Sequence, residues 1–327
     1  MVKDDFYGKI KGVDKKVSRI FFGTAIMPML CGKDCNDLLN SAFDCGITAF
    51  DTARNYAGAE ISLGKWIGSH DVRDKIVILS KCGHPDEMGN RRITEKEVRA
   101  DFNKSCEYLN TDYIDIYLYH RDDTSKPVDE AVEIMNALYS EGKIKTFGAS
   151  NWSHERIAEA NEYAYKHSLV SFTVSSPNFG LAHQITDPWG GGCVTISGSE
   201  NERSREWYKQ NNMPVVAYSA LGRGLFSGRL KYEERQMAST VLDVIAMRAY
   251  DVGENFERLR RVEIIAEKRG LSVAQVALKW IFTQGLDVYA VVSCTSAERI
   301  KSNAEALFAP MTEKEADYLN LKADCYE

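Results

Sequence analysis

The sequence lacks any apolar stretch long enough to cross a membrane. Its longest apolar run, residues 20–31, is interrupted by glycine, threonine and proline, whereas a membrane-spanning helix needs about 18 or more apolar residues. The first twelve residues carry five charged side chains and no apolar segment, so we expect no secretory signal. These absences favour a cytoplasmic protein that does not act in a membrane.

The sequence also has little that would attract nucleic acid or build a disulfide or zinc scaffold. Its 41 lysines and arginines are outnumbered by 47 aspartates and glutamates, and the net charge of −6 opposes a general affinity for nucleic acid or acidic lipid. The eight cysteines are scattered, and Cys31 and Cys35 form a C-x-x-x-C pair with no second pair to complete a zinc site. We therefore expect reduced thiols and no metal. Nothing in the sequence indicates an oligomeric state.

Eight short apolar runs rich in β-branched and aromatic residues alternate with stretches of helical periodicity. The predicted strands are 19–23, 48–50, 76–79, 113–118, 146–149, 171–174, 214–217 and 288–292. The predicted helices are 34–45, 94–109, 128–139, 155–165, 200–210, 255–269, 273–283 and 297–307, and the second opens with a capping box at Thr94. Parallel neighbours require crossover connections, so this order predicts an α/β fold, a (β/α)8 TIM barrel with long loops at the C-terminal face of the strands. No linker divides the chain, so we expect one domain over 1–327. An open doubly wound sheet is the alternative.

Polar side chains stand where nearly every predicted strand ends. They are Asp51, Lys81, His120, Ser150, Asn151, Ser175, Ser176, Tyr218, Ser219 and Ser293. The carboxyl ends of barrel strands meet on one rim, which is where enzymes of this fold build their active sites. A single strand-end lysine would mean little, but the coincidence of these residues predicts a catalytic site.

Three of these residues, Asp51, Lys81 and His120, together with Tyr56 suit proton delivery to a carbonyl oxygen. Tyr56 is a weak acid, and a neighbouring ammonium such as Lys81 would lower its pKa. Asp51 can keep that lysine charged in a partly dry pocket, and His120 can bind and orient the substrate oxygen. The sequence supplies no electrophilic metal site, so the carbonyl carbon would need hydride from a bound cofactor.

The segment FDTARNYAGAE at 50–60 resembles the aldo-keto reductase signature D-T-A-x-x-Y-G-x-x-E. Four later segments are similar to motifs of that family and occur in the same order. LSK at 79–81 is similar to the strand that carries the family's catalytic lysine, and IDIYLYH at 114–120 is similar to I-D-L-x-x-x-H. GASNW at 148–152 is similar to G-V-S-N-[FW], and YSALGRGL at 218–225 is similar to Y-S-P-L-G-x-G-x. The resemblance implies a barrel that interconverts an aldehyde or ketone and its alcohol, a small-molecule substrate, with NAD(P)H.

Carried over to this sequence, the resemblance implies a catalytic tetrad of Asp51, Tyr56, Lys81 and His120, with Tyr56 as the general acid and base. It assigns cofactor binding to Gly23, Thr24, Asp51, Ser150, Asn151, Ser176, Tyr218, Ser219, Leu221, Gly222, Arg223, Gly224, Ser293, Thr295, Arg299 and Asn303. Candidate substrate contacts are Met27, Tyr56, His120, Trp152 and Trp189.

The cofactor preference depends on the segment after the last strand. Ser293 stands where the family often has lysine, which weakens the case for a 2′-phosphate, whereas Arg299 keeps a bidentate phosphate contact available. We expect NADP(H) in preference to NAD(H). Arg121 could bind an anionic substrate, although a surface ion pair is the simpler interpretation.

Two other functions remain open from the sequence. A barrel of this family could act as a nucleotide-sensing or accessory subunit with little turnover. A strand-end lysine could also form a Schiff base if its pKa were depressed, although pairing of Lys81 with Asp51 opposes that. The preferred substrate is not readable from the sequence.

Overall fold

The computed structural model describes residues 4–326 and contains a closed barrel of eight parallel strands. A short antiparallel pair, β1 (Tyr7–Gly8) and β2 (Val17–Ser18), precedes it. The barrel strands are β3 (Ile20–Gly23), β4 (Ala49–Asp51), β5 (Val77–Cys82), β6 (Ile114–Tyr119), β7 (Ile144–Ser150), β8 (Val174–Ser176), β9 (Val215–Ala217) and β10 (Val288–Val292). Neighbouring strands follow the order β10-β3-β4-β5-β6-β7-β8-β9. The predicted barrel is confirmed.

Helices follow the strands along the chain. The α-helices within residues 4–326 are α1 (Met27–Leu30), α2 (Asn36–Asp44), α3 (Ala59–Ser69), α4 (Glu95–Leu109), α5 (Asp129–Ser140), α6 (His154–Lys166), α7 (Glu202–Gln210), α8 (Ala238–Val241), α9 (Val244–Tyr250), α10 (Gly253–Arg269), α11 (Val273–Phe282), α12 (Ala297–Glu305) and α13 (Glu313–Leu319). The capping box predicted at Thr94 is present at the start of α4. None of the helices in residues 4–326 combines the length and hydropathy that crossing a bilayer requires.

The described chain divides into two compact units. The first comprises the chain up to Ser176 together with Ser293–Ile300, and the second comprises Pro177–Val292 together with the chain from Lys301. In the first unit, strand register aligns Gly23 with Asp51 and Asp51 with Leu79, and every residue of β5 and β6 is buried. In the second, β9 and β10 pair in parallel. The expectation of a single domain stays a prediction.

The sequence prediction lacks β1, β2, α1, α3, α8, α9 and α13, and it places β8 too early in the chain. Strand β8 begins three residues later than predicted, so its carboxyl end reaches Ser176. Helix α3 was not predicted, because its exposed face is small and its two glycines lower helix propensity. Gly64 is nevertheless required in α3, since a Cβ there would collide with the backbone carbonyl of Tyr108. Helix α3 is therefore stabilised by close packing against α4, which needs the glycine, and not by the helix propensity of its own residues.

Candidate active site

Lys81 and Asp51 form a buried ion pair at the carboxyl ends of neighbouring strands. Lys81 Nζ lies 2.5 Å from Asp51 Oδ1 and donates a second hydrogen bond of 2.9 Å to the Thr52 carbonyl oxygen. The lysine is 3% exposed and the aspartate 5%. The parallel pairing of β4 with β5 places Asp51 beside Leu79, two residues before the lysine.

The lysine is held in its charged form. Burial lowers the pKa of Lys81, but attraction to Asp51 and to the Tyr56 phenol outweighs burial, and the net pKa is raised. A Schiff-base nucleophile needs the neutral amine at physiological pH. This geometry therefore disfavours the Schiff-base alternative.

Tyr56 lies in the loop between β4 and α3, with its ring beside the lysine. Lys81 Nζ is 5.2 Å from the ring centroid. The loop is tied to β5 because Arg54 N donates to the Lys81 carbonyl oxygen at 3.0 Å, and it turns through Ala57 at φ 41°. Burial raises the pKa of Tyr56 and Lys81 opposes that rise without cancelling it. Lys81 thus lowers the pKa of Tyr56 as expected, but burial dominates, so the net pKa is raised and the phenol holds its proton at neutral pH.

Glu60, the last residue of the tyrosine motif, links the loop to the lysine strand. This carboxylate is fully buried, pairs with the Arg54 guanidinium and accepts a 2.7 Å hydrogen bond from Ser80 Oγ. Burial raises the pKa of Glu60, and Arg54 opposes the rise. Sequence reasoning quoted Glu60 only as part of the motif. Glu60 follows Arg54 by six residues across a loop, and that spacing does not predict that the two side chains pair.

His120 follows β6 and points its ring at the tyrosine. Its ring centroid lies 5.7 Å from that of Tyr56 and 4.9 Å from that of His84, both edge-on. Burial lowers the pKa of His120 well below 6.5, and the charges of Lys81 and Arg121 lower it further. Its Nδ1 is buried and has no hydrogen-bond partner among residues 4–326. A neutral imidazole can donate from one nitrogen and accept at the other, so this ring can bind a carbonyl or hydroxyl oxygen.

Ser150, Asn151 and Ser176 form one hydrogen-bonded group at the ends of β7 and β8. Ser150 Oγ donates to the Ser176 carbonyl oxygen at 2.8 Å, and Asn151 Nδ2 donates to Ser150 Oγ at 3.1 Å. Asn151 adopts the left-handed conformation at φ 61°. The Ser176 hydroxyl is buried without a hydrogen-bond partner in the described residues. Thr24, next to Gly23, donates its hydroxyl to the Asp51 carbonyl oxygen at 2.9 Å.

In the second unit, the residues after β9 form a tight glycine-rich turn. Positive φ angles occur at Ser219 (55°), Gly222 (56°), Arg223 (51°) and Gly224 (104°), so successive peptide planes turn sharply. Leu221 lies within this turn and its carbonyl oxygen accepts from Gly224 N at 3.1 Å. Such turns aim backbone N–H groups into a concavity that suits an anion.

Aromatic and charged side chains pack around this turn. Arg223 pairs with Asp243 at 2.7 Å, and its guanidinium lies 5.4 Å from the Trp189 ring centroid. Trp189 is 41% exposed and meets the Tyr218 ring edge-on at 6.3 Å. The predicted cofactor residue Tyr218 and the predicted substrate residue Trp189 are thus neighbours.

The remaining predicted site residues differ in exposure. Met27 is 70% exposed, whereas Trp152 is 1% exposed and stacks on Tyr119 at 5.7 Å, so packing accounts for Trp152. After β10, three of the predicted cofactor residues are exposed: Ser293, Thr295 and Arg299. Asn303 is buried four residues along α12 from Arg299, on the same helix face. The Arg299 guanidinium forms no ion pair within residues 4–326.

Metal-ligating side chains do not cluster in the part of the chain that the structure describes, where no group of three or more could hold an ion. The candidate site brings together a buried ammonium, a phenol and a neutral imidazole. These groups suit proton transfer to and from an oxygen atom.

Comparison with known proteins agrees with this chemistry. Residues 20–324 match the model of the Aldo/keto reductase family. An aldo-keto reductase of Alternaria alternata is 26% identical over 318 residues, covering 88% of this chain and 81% of its own. An L-glyceraldehyde 3-phosphate reductase of Escherichia coli O157:H7 is 26% identical over 83% of this chain and 78% of its own, and an aryl-alcohol dehydrogenase of Pestalotiopsis microspora is 24% identical over 84% and 69%. Motifs, barrel, the buried Lys81–Asp51 pair and the family match lead to one conclusion: the chain belongs to the Aldo/keto reductase family of oxidoreductases.

Proposed function

We propose that this protein interconverts an aldehyde or ketone and the corresponding alcohol with NAD(P)H, and that Tyr56 is the general acid in reduction. The observation that carries the proposal is the buried ion pair of Lys81 and Asp51 beside the Tyr56 ring. Proton donation leaves a phenolate on Tyr56, and the Lys81 ammonium stabilises that negative charge.

The neutral His120 ring orients the substrate oxygen toward Tyr56. Its pKa is far below neutrality, so at physiological pH the ring donates a hydrogen bond without competing with Tyr56 as the acid. Asp51 keeps Lys81 charged, and Thr52 fixes the direction of its ammonium through the backbone. Each residue of the tetrad then has one physical task.

The residues at the ends of β7 and β8 fit a nicotinamide. A carboxamide has one acceptor and two donors, and the unpartnered Ser176 hydroxyl together with the Ser150 and Asn151 side chains offers matching groups. When bound, a reduced nicotinamide supplies hydride to the carbonyl carbon. In the second unit, the N–H groups of the Ser219–Gly224 turn suit an anion such as a pyrophosphate, and Tyr218 stays a predicted cofactor residue.

We propose NADP(H) as the preferred cofactor. Arg299 is exposed and unpaired within residues 4–326, so its guanidinium is available for a 2′-phosphate, and Asn303 lies on the same face of α12. Ser293 supplies no charge, so Arg299 would carry the preference. No two of the eight cysteines form a disulfide within residues 4–326, which suits a reducing compartment such as the cytoplasm.

The decisive experiment compares Tyr56→Phe with Tyr165→Phe across a panel of aldehydes and ketones, following NADPH oxidation. Tyr165 is 84% exposed on α6 and serves as the matched control. Removing the acid should lower kcat by about 10²–10⁴-fold while NADPH still quenches or shifts protein fluorescence. The control should match wild type. Wild-type rates in Tyr56→Phe would refute the assignment.

A further inference from the structure

Arg121 is a buried arginine placed directly after the proposed substrate-orienting histidine. It is 8% exposed, and its Nη1 donates to the His120 carbonyl oxygen at 2.9 Å. The same oxygen accepts from Asn151 Nδ2 at 3.1 Å. The guanidinium therefore turns back over the backbone of His120 instead of extending into solvent.

This guanidinium has no acidic partner in the part of the chain that the structure describes. No carboxylate within residues 4–326 lies at ion-pair distance from Arg121. The two aspartates that follow it are engaged elsewhere: Asp122 pairs with Arg156 at 3.2 Å, and Asp123 accepts from Ser125 Oγ at 2.5 Å. The sequence analysis favoured a surface ion pair for Arg121. That interpretation is wrong, because Arg121 is buried and forms no ion pair within residues 4–326.

The charge of Arg121 acts on the proton-transfer groups. It lowers the pKa of Tyr56 and of His120 alongside Lys81. The charge of Lys81 is balanced by Asp51, whereas that of Arg121 is unbalanced. A buried charge without a counter-charge costs folding free energy, so a group that neutralises it should bind strongly.

We propose that the substrate carries an anionic group, a carboxylate or a phosphate, which Arg121 binds while Tyr56 acts on the carbonyl of the same molecule. The inference rests on the proposed reductase function and adds the substrate class to it. A guanidinium has five N–H donors in a planar fork that matches two oxygens of such an anion. In the described residues one acceptor, the His120 carbonyl oxygen, binds it, which leaves donors for the substrate.

The test compares charged and neutral carbonyl compounds of similar size at fixed ionic strength. Succinic semialdehyde against butanal tests a carboxylate, and glycolaldehyde phosphate against glycolaldehyde tests a phosphate. Wild-type kcat/KM should favour at least one charged member by about 10–100-fold, the range expected for hydrogen bonds to charged groups. The pair that shows the preference identifies the anion.

Arg121→Gln should remove that preference, because kcat/KM should fall by a larger factor for the charged member, which loses its binding contact, than for the neutral member, which loses only the effect of the charge on Tyr56 and His120. Arg121→Lys should restore part of the preference. Arg99→Gln is the control, since it removes the same charge from α4, where Arg99 pairs with Glu95 and Glu141. If Arg121→Gln does not fold, wild type is tested instead with succinate against succinamide as competitive inhibitors of butanal reduction. Succinate should then bind at least about 10-fold more tightly.

Equal use of charged and neutral compounds by wild type, or equal losses on both in Arg121→Gln, would overturn the inference. Tyr56-dependent reduction of neutral aldehydes would leave the proposed function standing in that case. Failure to reduce any carbonyl compound would overturn the proposed function and this inference with it.

Discussion

Asp51→Asn isolates the electrostatic part of the proposed mechanism, because asparagine keeps the shape of the side chain and removes only its charge. The ammonium of Lys81, 3% exposed, then remains buried without a counter-charge. Breaking such a buried pair costs about 3–5 kcal/mol. Unfolding entropy of about 2.1 cal/mol/K per residue over 327 residues is about 0.7 kcal/mol/K, so Tm should fall by about 4–7 °C.

The pH dependence of that loss has a definite sign. In wild type the folded pKa of Lys81 is raised above 10.5, so its contribution to stability is complete below about pH 10.5 and is lost as pH rises through the folded pKa. In Asp51→Asn burial acts without its main opponent and lowers the folded pKa. The variant should therefore gain stability relative to wild type as pH rises from 7 toward 10.

The assay is thermal unfolding by circular dichroism at several pH values, with kcat/KM measured on the same samples. The control is Asp71→Asn, which removes a charge from an exposed pair with Lys75 and should leave Tm nearly unchanged, because exposed pairs contribute little. We expect Asp51→Asn to lower kcat/KM at least about 10-fold at the higher pH values, where Lys81 becomes neutral and Tyr56 loses its charged neighbour. A Tm gap that is absent, or that widens with rising pH, would refute the assignment of Lys81 as an ammonium held by Asp51.

Two further outcomes follow from the structure. In fluorescence titrations, Arg299→Gln should raise the Kd for NADPH about 10-fold and leave the Kd for NADH unchanged. The control is Arg203→Gln, which also replaces an exposed arginine. Equal effects on the two cofactors would contradict a 2′-phosphate contact. Glu60→Gln leaves the Arg54 guanidinium without its counter-charge. Tm should therefore fall by several degrees, and kcat should drop while the affinity for NADPH stays unchanged. An unchanged kcat would mean that Glu60 does not position Tyr56.

Much of the fold was predictable because it depends on local patterns. Each strand of the barrel is a short apolar run, and the residue types at its end mark the rim: Asp51, Lys81 and His120 stand there as predicted. Helix α3 was missed because its cause is not local. Gly64 weakens the helix in isolation and is required only by the close approach of Tyr108 from α4.

The candidate site shows the same division. The four residues proposed for proton transfer follow from motif spacing: Asp51, Lys81 and His120 stand at or next to strand ends, and Tyr56 lies in the loop after β4. The protonation state of Tyr56 does not follow from the sequence. Burial raises the pKa of Tyr56 and Lys81 lowers it, and the balance depends on how deeply the tyrosine is buried and how near the lysine lies. The contacts of Glu60 with Arg54 and Ser80 also depend on tertiary packing and are not readable from the sequence.

The sequence by itself determined the barrel, the family and the four residues proposed for proton transfer, because hydrophobic periodicity and motif order are properties of neighbouring residues. Only the tertiary structure decided which charges are balanced. Asp51 neutralises Lys81 across two strands, whereas Arg121, beside two aspartates in sequence, has neither as a partner. Electrostatic energy depends on distance and solvent exposure in three dimensions, and chain order specifies neither for residues that are brought together by folding.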